Sequence, residues 1–342
     1  NFKSDLRFDY GKFDTDGYLN AEITTCPANP PVATGACANY LAAFGPNADV
    51  YLDNVTSQPP SFSVYEYQEV AFTNRLDIGS FTLNSITSYF EHGLDPFANL
   101  IPSPLTGVGG SRTLFGFRTP EKYHQFSQEI RLQSPRNEKF EYMIGAYYSE
   151  GELDSPQFVS QNFNTFGAAA VGYNVGSTPI TGATPVGVRN YFFQDDKTIS
   201  GFAAATWNAT ERLKFNFGLR YTEVTKEALR VNQVGTFVGG DPMAVFTEFD
   251  ATPAALIRAR IGSNGSNFAF PKRTDSRLMP SINVQFELRE DLMTYFAFSQ
   301  GFKAGGFSGG NNPDIFAPEY VNSYEAGIKG KFFDNRMFAA IT

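Results

Sequence analysis

The sequence predicts an all-β protein, an antiparallel up-and-down β-barrel of the membrane-spanning kind, and three observations predict it. Residues that favour strands and turns dominate, with 35 Phe and 17 Tyr against one Trp and two Cys, and 31 Gly and 20 Pro besides. Several segments alternate apolar and polar residues with a period of two. The connections between those segments alternate between very short and very long.

The bulk numbers fit that class. A chain of 342 residues with 42% hydrophobic and only 18% charged residues is not disordered. No run approaches the 18 apolar residues of a membrane helix, and the mean hydropathy of -0.26 resembles that of a water-soluble protein. A barrel hides from such averages, because its strands alternate lipid-facing apolar residues with lumen-facing polar ones. The net charge of -8 and the absence of a clustered basic patch argue against nucleic acid as a partner.

The clearest strand is Ser281 to Arg289, where Ile282, Val284, Phe286 and Leu288 alternate with Asn283, Gln285 and Glu287. The first set is expected to face lipid and the second the lumen. From Arg212 to Thr222 the apolar set is Leu213, Phe215, Phe217, Leu219 and Tyr221. Gln125 to Gln133 and Met293 to Lys303 repeat the pattern, and weaker alternation marks residues 64–78, 80–90, 139–150, 194–208, 319–332 and 336 onward. About ten strands follow residue 61. The first 25 residues add one or two, as a hairpin turning near Gly11 or a single kinked strand.

Short connections fall at Gly79-Ser80, Pro135 to Glu138, Ala209 to Glu211, Glu290 and Asp334-Asn335. Long ones fall at about 25–60, 91–121, 151–191, 229–275 and 304–318, rich in small and polar residues. In an up-and-down sheet every second connection lies at the same end, so the short turns share one rim and the long loops the other. Short periplasmic turns and long external loops are the pattern of outer-membrane barrels. Aromatic residues gather beside the long loops, at Tyr89-Phe90, Tyr147-Tyr148 and Tyr191-Phe192-Phe193, as a girdle at the membrane interface would require. Cys26 and Cys37, 11 positions apart and the only cysteines, are expected to form a disulfide in the first long loop.

Other patterns carry no chemistry. Gly306-Phe307-Ser308-Gly309-Gly310 has the spacing of a nucleophile elbow, but Asn311-Asn312-Pro313 follows where a helix would have to start. Asp14-Thr15-Asp16-Gly17 lacks the later ligands of a calcium loop. His92 and His124 flank one loop without cysteines or clustered carboxylates, so neither a metal site nor a cofactor is expected, and the protein is not expected to be an enzyme.

Four motifs then carry a family resemblance. Phe126-Ser127-Gln128-Glu129-Ile130-Arg131-Leu132 resembles the FSQE-x-RL strand of TonB-dependent outer-membrane receptors, and Gly218-Leu219-Arg220-Tyr221 resembles their GLRY. Gly301 to Phe307 resembles GFKAGGF, and Pro318 to Lys329 resembles PE-x-V-x-SYE-x-G-x-K. The motifs stand in the family's order over about two thirds of the chain. The resemblance implies a 22-stranded barrel around an N-terminal plug, of which residues 1–342 would be one barrel fragment with 11–12 strands; the plug and the last strands are not in this sequence. It also implies the outer membrane as location, and active uptake of a scarce nutrient such as a ferric siderophore. The implied partners are membrane lipid and lipopolysaccharide, the nutrient, and TonB with its inner-membrane energising complex. A passive porin is the alternative, and a secreted carbohydrate-binding β-protein a more distant one. Ligand contacts are expected in the long loops, where Arg112, Phe115, Phe117, Arg118, Tyr173 and Arg189 offer stacking and charge.

Overall fold

The period-two alternation becomes strand pairing in the computed structural model, which describes residues 1–16, 61–99, 115–136, 138–162, 174–175, 178–181, 184–237, 243–260, 263, 265, 267–309, 314–334 and 336–342. The strands are β1 (Phe2–Asp16), β2 (Phe62–Ile78), β3 (Phe81–Asn99), β4 (Phe115–Arg118), β5 (Glu121–Gln133), β6 (Phe140–Asp154) and β7 (Gln157–Asn162). There follow β8 (Asn174–Val175), β9 (Thr178–Pro179), β10 (Pro185–Asn208), β11 (Leu213–Phe237), β12 (Phe246–Glu248) and the helix α1 (Ala251–Arg260). The chain continues with β13 (Phe268–Ala269), β14 (Arg273–Arg289), β15 (Leu292–Lys303), β16 (Gly306–Ser308), β17 (Asp314–Phe316), β18 (Glu319–Phe332) and β19 (Met337–Ile341).

Fifteen of these strands form one antiparallel sheet, which ends at β1 on one side and β19 on the other. Its wall holds fewer strands than that. The pairing of β4 with β3 and β7 keeps the register in which β5 pairs with β3 and β6, so β4 continues β5 and β6 continues β7. The breaks fall at Pro120 and Pro156, which lack the N–H a ladder needs. With β12 and β13 as short additions to β11, eleven wall strands remain. Each pairs with its sequence neighbour, up and down. The hairpin is excluded and a single strand found over Phe2–Asp16, since β1 pairs with β2 throughout that range and Gly11 makes room for the ring of Tyr67 instead of turning; the expected kink at Asp16-Gly17 lies at the edge of the described residues.

The five short connections lie at one rim, and Gly79 (φ 60°) supplies the left-handed backbone of the β2–β3 turn. The long connections share the other rim, but they are shorter than the alternation suggests. β3 runs to Asn99, β7 to Asn162 and β11 to Phe237, while β10 starts at Pro185 and β14 at Arg273. The wall therefore projects beyond its alternating part, and α1 lies inside what the sequence reads as a loop. Asp250 before Ala251 and Pro253 in the first turn were helix-start signals there.

Paired residues share a face of the sheet, so register assigns every wall residue to one of two. One face is apolar and exposed over the middle of the wall: Leu6 and Phe8 on β1, Phe72 on β2, Ile130 on β5, Ile144 on β6, Ile199 on β10, Leu219 on β11 and Phe286 on β14. On the other face Thr206 donates to Asn216 (2.9 Å) and Asn216 to Asn283 (3.1 Å), a polar rung across three strands. Asn283 thus lies on the polar face, and its neighbours Ile282 and Val284 pair with Phe217 and Phe215 on the apolar one. The polar face is the concave side, because its residues on β2 are half-buried where their apolar neighbours are exposed.

The loop-side aromatic pairs divide between the faces instead of forming one girdle. Tyr89 and Tyr148 lie on the apolar face, and Phe90 and Tyr147 on the polar one. No helix among the described residues is long and apolar enough to cross a membrane, which says nothing of strands.

Candidate functional site

The loop end of the concave face gathers two unlike surfaces. On β1–β5 it is aromatic. Phe13, Tyr65, Tyr67, Phe90, His92 and Tyr123 form one panel, with neighbouring ring centroids 5.7–6.5 Å apart. Their parity explains the contact, since all six stand where a barrel lumen would ordinarily be polar. Glu121 accepts from His92 Nε2 at 2.9 Å and Gln125 donates to the Tyr123 hydroxyl at 2.9 Å, so the panel's polar edges are tied down.

On β10–β14 the same height is cationic and buried. Asn190 Oδ1 accepts from Arg230 (2.9 Å) and from Asn232 Nδ2 (2.6 Å), while Arg258 of α1 donates to Asn232 Oδ1 (2.8 Å). Burial, and then the neighbouring charge of Arg258, hold the Arg230 guanidinium below its usual range. Next to this network on the loop side, Ile257 and Ala254 of α1 pack with Val186, Val188, Val234, Ile180 and Phe249 as an apolar core. A second cluster joins Phe270, Phe307 and Ala228, with Phe192 against it.

The motif residues serve this concave face. Gly305 N–H donates to Asp275 (3.0 Å), whose carboxylate also takes a two-point contact from Arg273 (2.5 and 2.8 Å). A side chain at Gly305 would strike that guanidinium and the Phe316 carbonyl. Arg220 donates to Ser200 (3.0 Å) and Thr222 (3.1 Å) and lies against the rings of Tyr147 and Phe202. Tyr295 bonds Glu325 and covers Gly327, and the Lys329 ammonium stands 4.7 Å from its ring.

Of the residues the sequence singles out, Arg112, Tyr173, Cys26 and Cys37 lie outside the described residues, as does the side chain of Phe115. Arg118 makes a bidentate pair with Asp95 (2.7 and 2.5 Å) beside Phe62. Arg189 is clasped between the rings of Phe158 and Phe246 and donates to the Ala244 carbonyl at 2.7 Å. Both belong to the face that is apolar lower in the wall, whereas Phe117 belongs to the concave one. The register sets Arg118 and Arg189 in one row on either side of Phe158, and leaves Phe117 on the opposite face. The six-ring panel and the Arg230–Arg258 network escaped sequence reasoning, although Tyr65-Glu66-Tyr67 places two rings on the polar parity. Among the described residues no group of three or more His, Cys, Asp or Glu is placed to hold a metal ion.

Residues 1–342 match the family model described as TonB dependent receptor-like, beta-barrel. The chain belongs to the TonB-dependent receptor β-barrel family. Solved receptors share the fold. The ferric yersiniabactin uptake receptor FyuA from Yersinia pestis aligns at 14% identity and a TM-score of 0.55, covering 82% of this chain and 35% of FyuA. The siderophore receptor PiuA from Acinetobacter baumannii gives 14% and 0.55, covering 82% and 40%. The closed form of the ferric-catecholate import receptor Fiu from E. coli K12 gives 14% and 0.54, covering 98% and 48%. The chain thus spans less than half the length of these receptors. A TonB-dependent receptor wall has an apolar outside and a polar inside, which gives the two faces their roles and makes the concave loop end the side that looks into the lumen.

Proposed function

We propose that the complete protein is an active transporter of the bacterial outer membrane, taking up a scarce nutrient of the ferric-siderophore kind and energised through TonB. One observation carries the proposal: an antiparallel wall of eleven strands, apolar and exposed on one face and polar on the other, matching the receptor family along its whole length. A water-soluble protein does not leave so large an apolar face bare. Among the described residues the edges at β1 and β19 have no partner strand, and bare backbone groups cannot face hydrocarbon, so in this proposal further strands complete a 22-stranded barrel. The lumen would hold the plug.

In this proposal the long connections are external, Cys26–Cys37 is a disulfide of the first of them, and lipopolysaccharide surrounds the rim. Arg112, Phe115, Phe117, Arg118, Tyr173 and Arg189 are proposed as rim contacts for the ligand, with the aromatic panel and the arginine network below them. No chemistry is done on the nutrient.

The test is uptake of radiolabelled iron by iron-starved cells carrying or lacking the full-length protein, offered as catecholate, hydroxamate and mixed siderophores. The expected result is uptake of at least one complex that a protonophore abolishes. Uptake that survives the protonophore and admits any small solute would mean a porin.

A further inference from the structure

We propose that the lumen is electrically divided, and that a solute of net negative charge crosses it along the β10–β18 half of the wall while the plug seats on the β1–β6 half. The inference rests on the plugged-transporter reading above and adds to it a side of the barrel. Register fixes which strand residues face the lumen, so each strand contributes a definite charge to the concave face. On β1, β2, β3, β5 and β6 that face carries seven carboxylates against four cations, Lys3, Arg7, Arg75 and Arg131. On β10, β11, β14, β15 and β18 it carries nine cations against five carboxylates, Asp196, Asp275, Glu287, Glu319 and Glu325. One half of the wall is therefore net acidic and the other net basic.

The halves also differ in how their charges are met. On the acidic half the wall uses up its own cations: Arg7 pairs with Asp9 (2.5 Å), Arg75 with Asp77 (3.2 Å) and Arg131 with Glu129 (3.2 Å), and the surplus is carboxylate. On the basic half Arg220 stands in the belt with no carboxylate partner among the described residues. Its contacts are the hydroxyls of Ser200 and Thr222 and the rings of Tyr147 and Phe202. Above it Lys226 faces Asp196 across β10 and β11, and Arg230 and Arg258 head the same half at the loop end, bound to the neutral amides of Asn190 and Asn232.

A low-dielectric wall lined by one sign of charge focuses its field into the lumen and concentrates the opposite sign there. A plug packed on the acidic half can set basic side chains against the surplus carboxylates. Packed on the basic half it would have to supply an anion for Arg220, because an uncompensated buried charge is costly; an anionic solute supplies that charge in passing. The same half is also the roomier one. Ala204, Gly218, Ser281, Ser299 and Ser323 follow one another in a single row across β10, β11, β14, β15 and β18, where β6, β5 and β2 set Met143, Gln133 and Asp77.

The test uses the full-length protein in iron-starved cells, with Cys26 and Cys37 replaced by serine and either Ser299→Cys or Ser88→Cys as reporter. Ser88 lies on the acidic half and nearer the loop rim in register, so depth alone favours its labelling from outside. The probes are an anionic and a cationic methanethiosulfonate of similar size, added while the cells take up the ferric siderophores of the uptake assay. The expected result is that the anionic reagent labels Ser299→Cys roughly tenfold faster than Ser88→Cys, and that a protonophore abolishes the difference. Arg220→Gln should slow that labelling and Arg220→Lys restore it. Ser281→Cys, in the same row, replaces Ser299→Cys if that variant does not insert. Equal or faster labelling of Ser88→Cys, a preference of Ser299→Cys for the cationic reagent, or an Arg220→Gln variant that labels unchanged would overturn the proposal. Iron uptake by the unaltered protein that ignores the protonophore would overturn the transporter reading and this inference with it, whereas the other outcomes strike the lane alone.

Discussion

Strands β10 and β11 are built in opposite senses at their two ends. In the belt, Leu219 and Tyr221 of β11 and Ile199 and Trp207 of β10 face outward and are exposed, while Thr206, Ser200 and Thr222 face the concave side. In the crown above it, Val186, Val188 and Val234 face the concave side and are buried beneath α1. The apolar parity changes sides within single strands. Solvent accounts for such a change: hydrocarbon against the outside of a barrel belt makes an interior core unnecessary there, whereas a stretch of wall with water on both faces has to bury its apolar residues against its own chain. The same two strands therefore carry a wall with its apolar side outward and a core with its apolar side inward.

The largest expected effect breaks the crown and spares the belt. Ile257→Asp places an uncompensated charge in the closed core and should cost about 3–5 kcal/mol. Hydrogen exchange should then rise in α1 and the upper parts of β10 and β11, while heat-modifiability of the full-length barrel stays intact. If the entire wall melts with it, crown and belt are one cooperative unit and the contrast is lost.

The converse change, Leu219→Arg, should cost roughly 2–4 kcal/mol near the bilayer midplane. Urea unfolding in lipid would show the loss, with exchange in α1 unaltered. An unchanged midpoint would remove Leu219 from the lipid face. A smaller change sharpens the crown. Asn232→Ala removes the acceptor of Arg258 and the donor to Asn190, and should cost about 1–3 kcal/mol, visible as faster exchange in α1 alone. Asn232→Asp, which keeps an acceptor beside Arg258, should restore protection.

The belt was legible because one rule governs it. From Ser281 to Glu287 the alternation is unbroken and each residue takes the face its parity assigns, up to a β-bulge between Glu287 and Arg289. The same rule misplaced the limits of the long connections, since it ends where alternation ends while β11 continues to Phe237, with Val234 buried on the concave side. The aromatic girdle failed for a related reason. Adjacent rings such as Tyr89 and Phe90 cannot share a face of a strand, so Phe90, Tyr147 and Phe192 turn inward, and Phe90 joins the lumen panel.

The sequence by itself determined the strands, the short-turn rim and the family, because period-two patterning, turn residues and the four motifs are local and survive without contacts. Only the tertiary structure decided which residues meet. Phe13 reaches Tyr65 only through the β1–β2 register, across a connection of more than forty residues. Arg258 finds Asn232 only because α1 folds back over the concave face. Such meetings depend on register and chain reversal, which bring together residues far apart in sequence, and no local pattern encodes them.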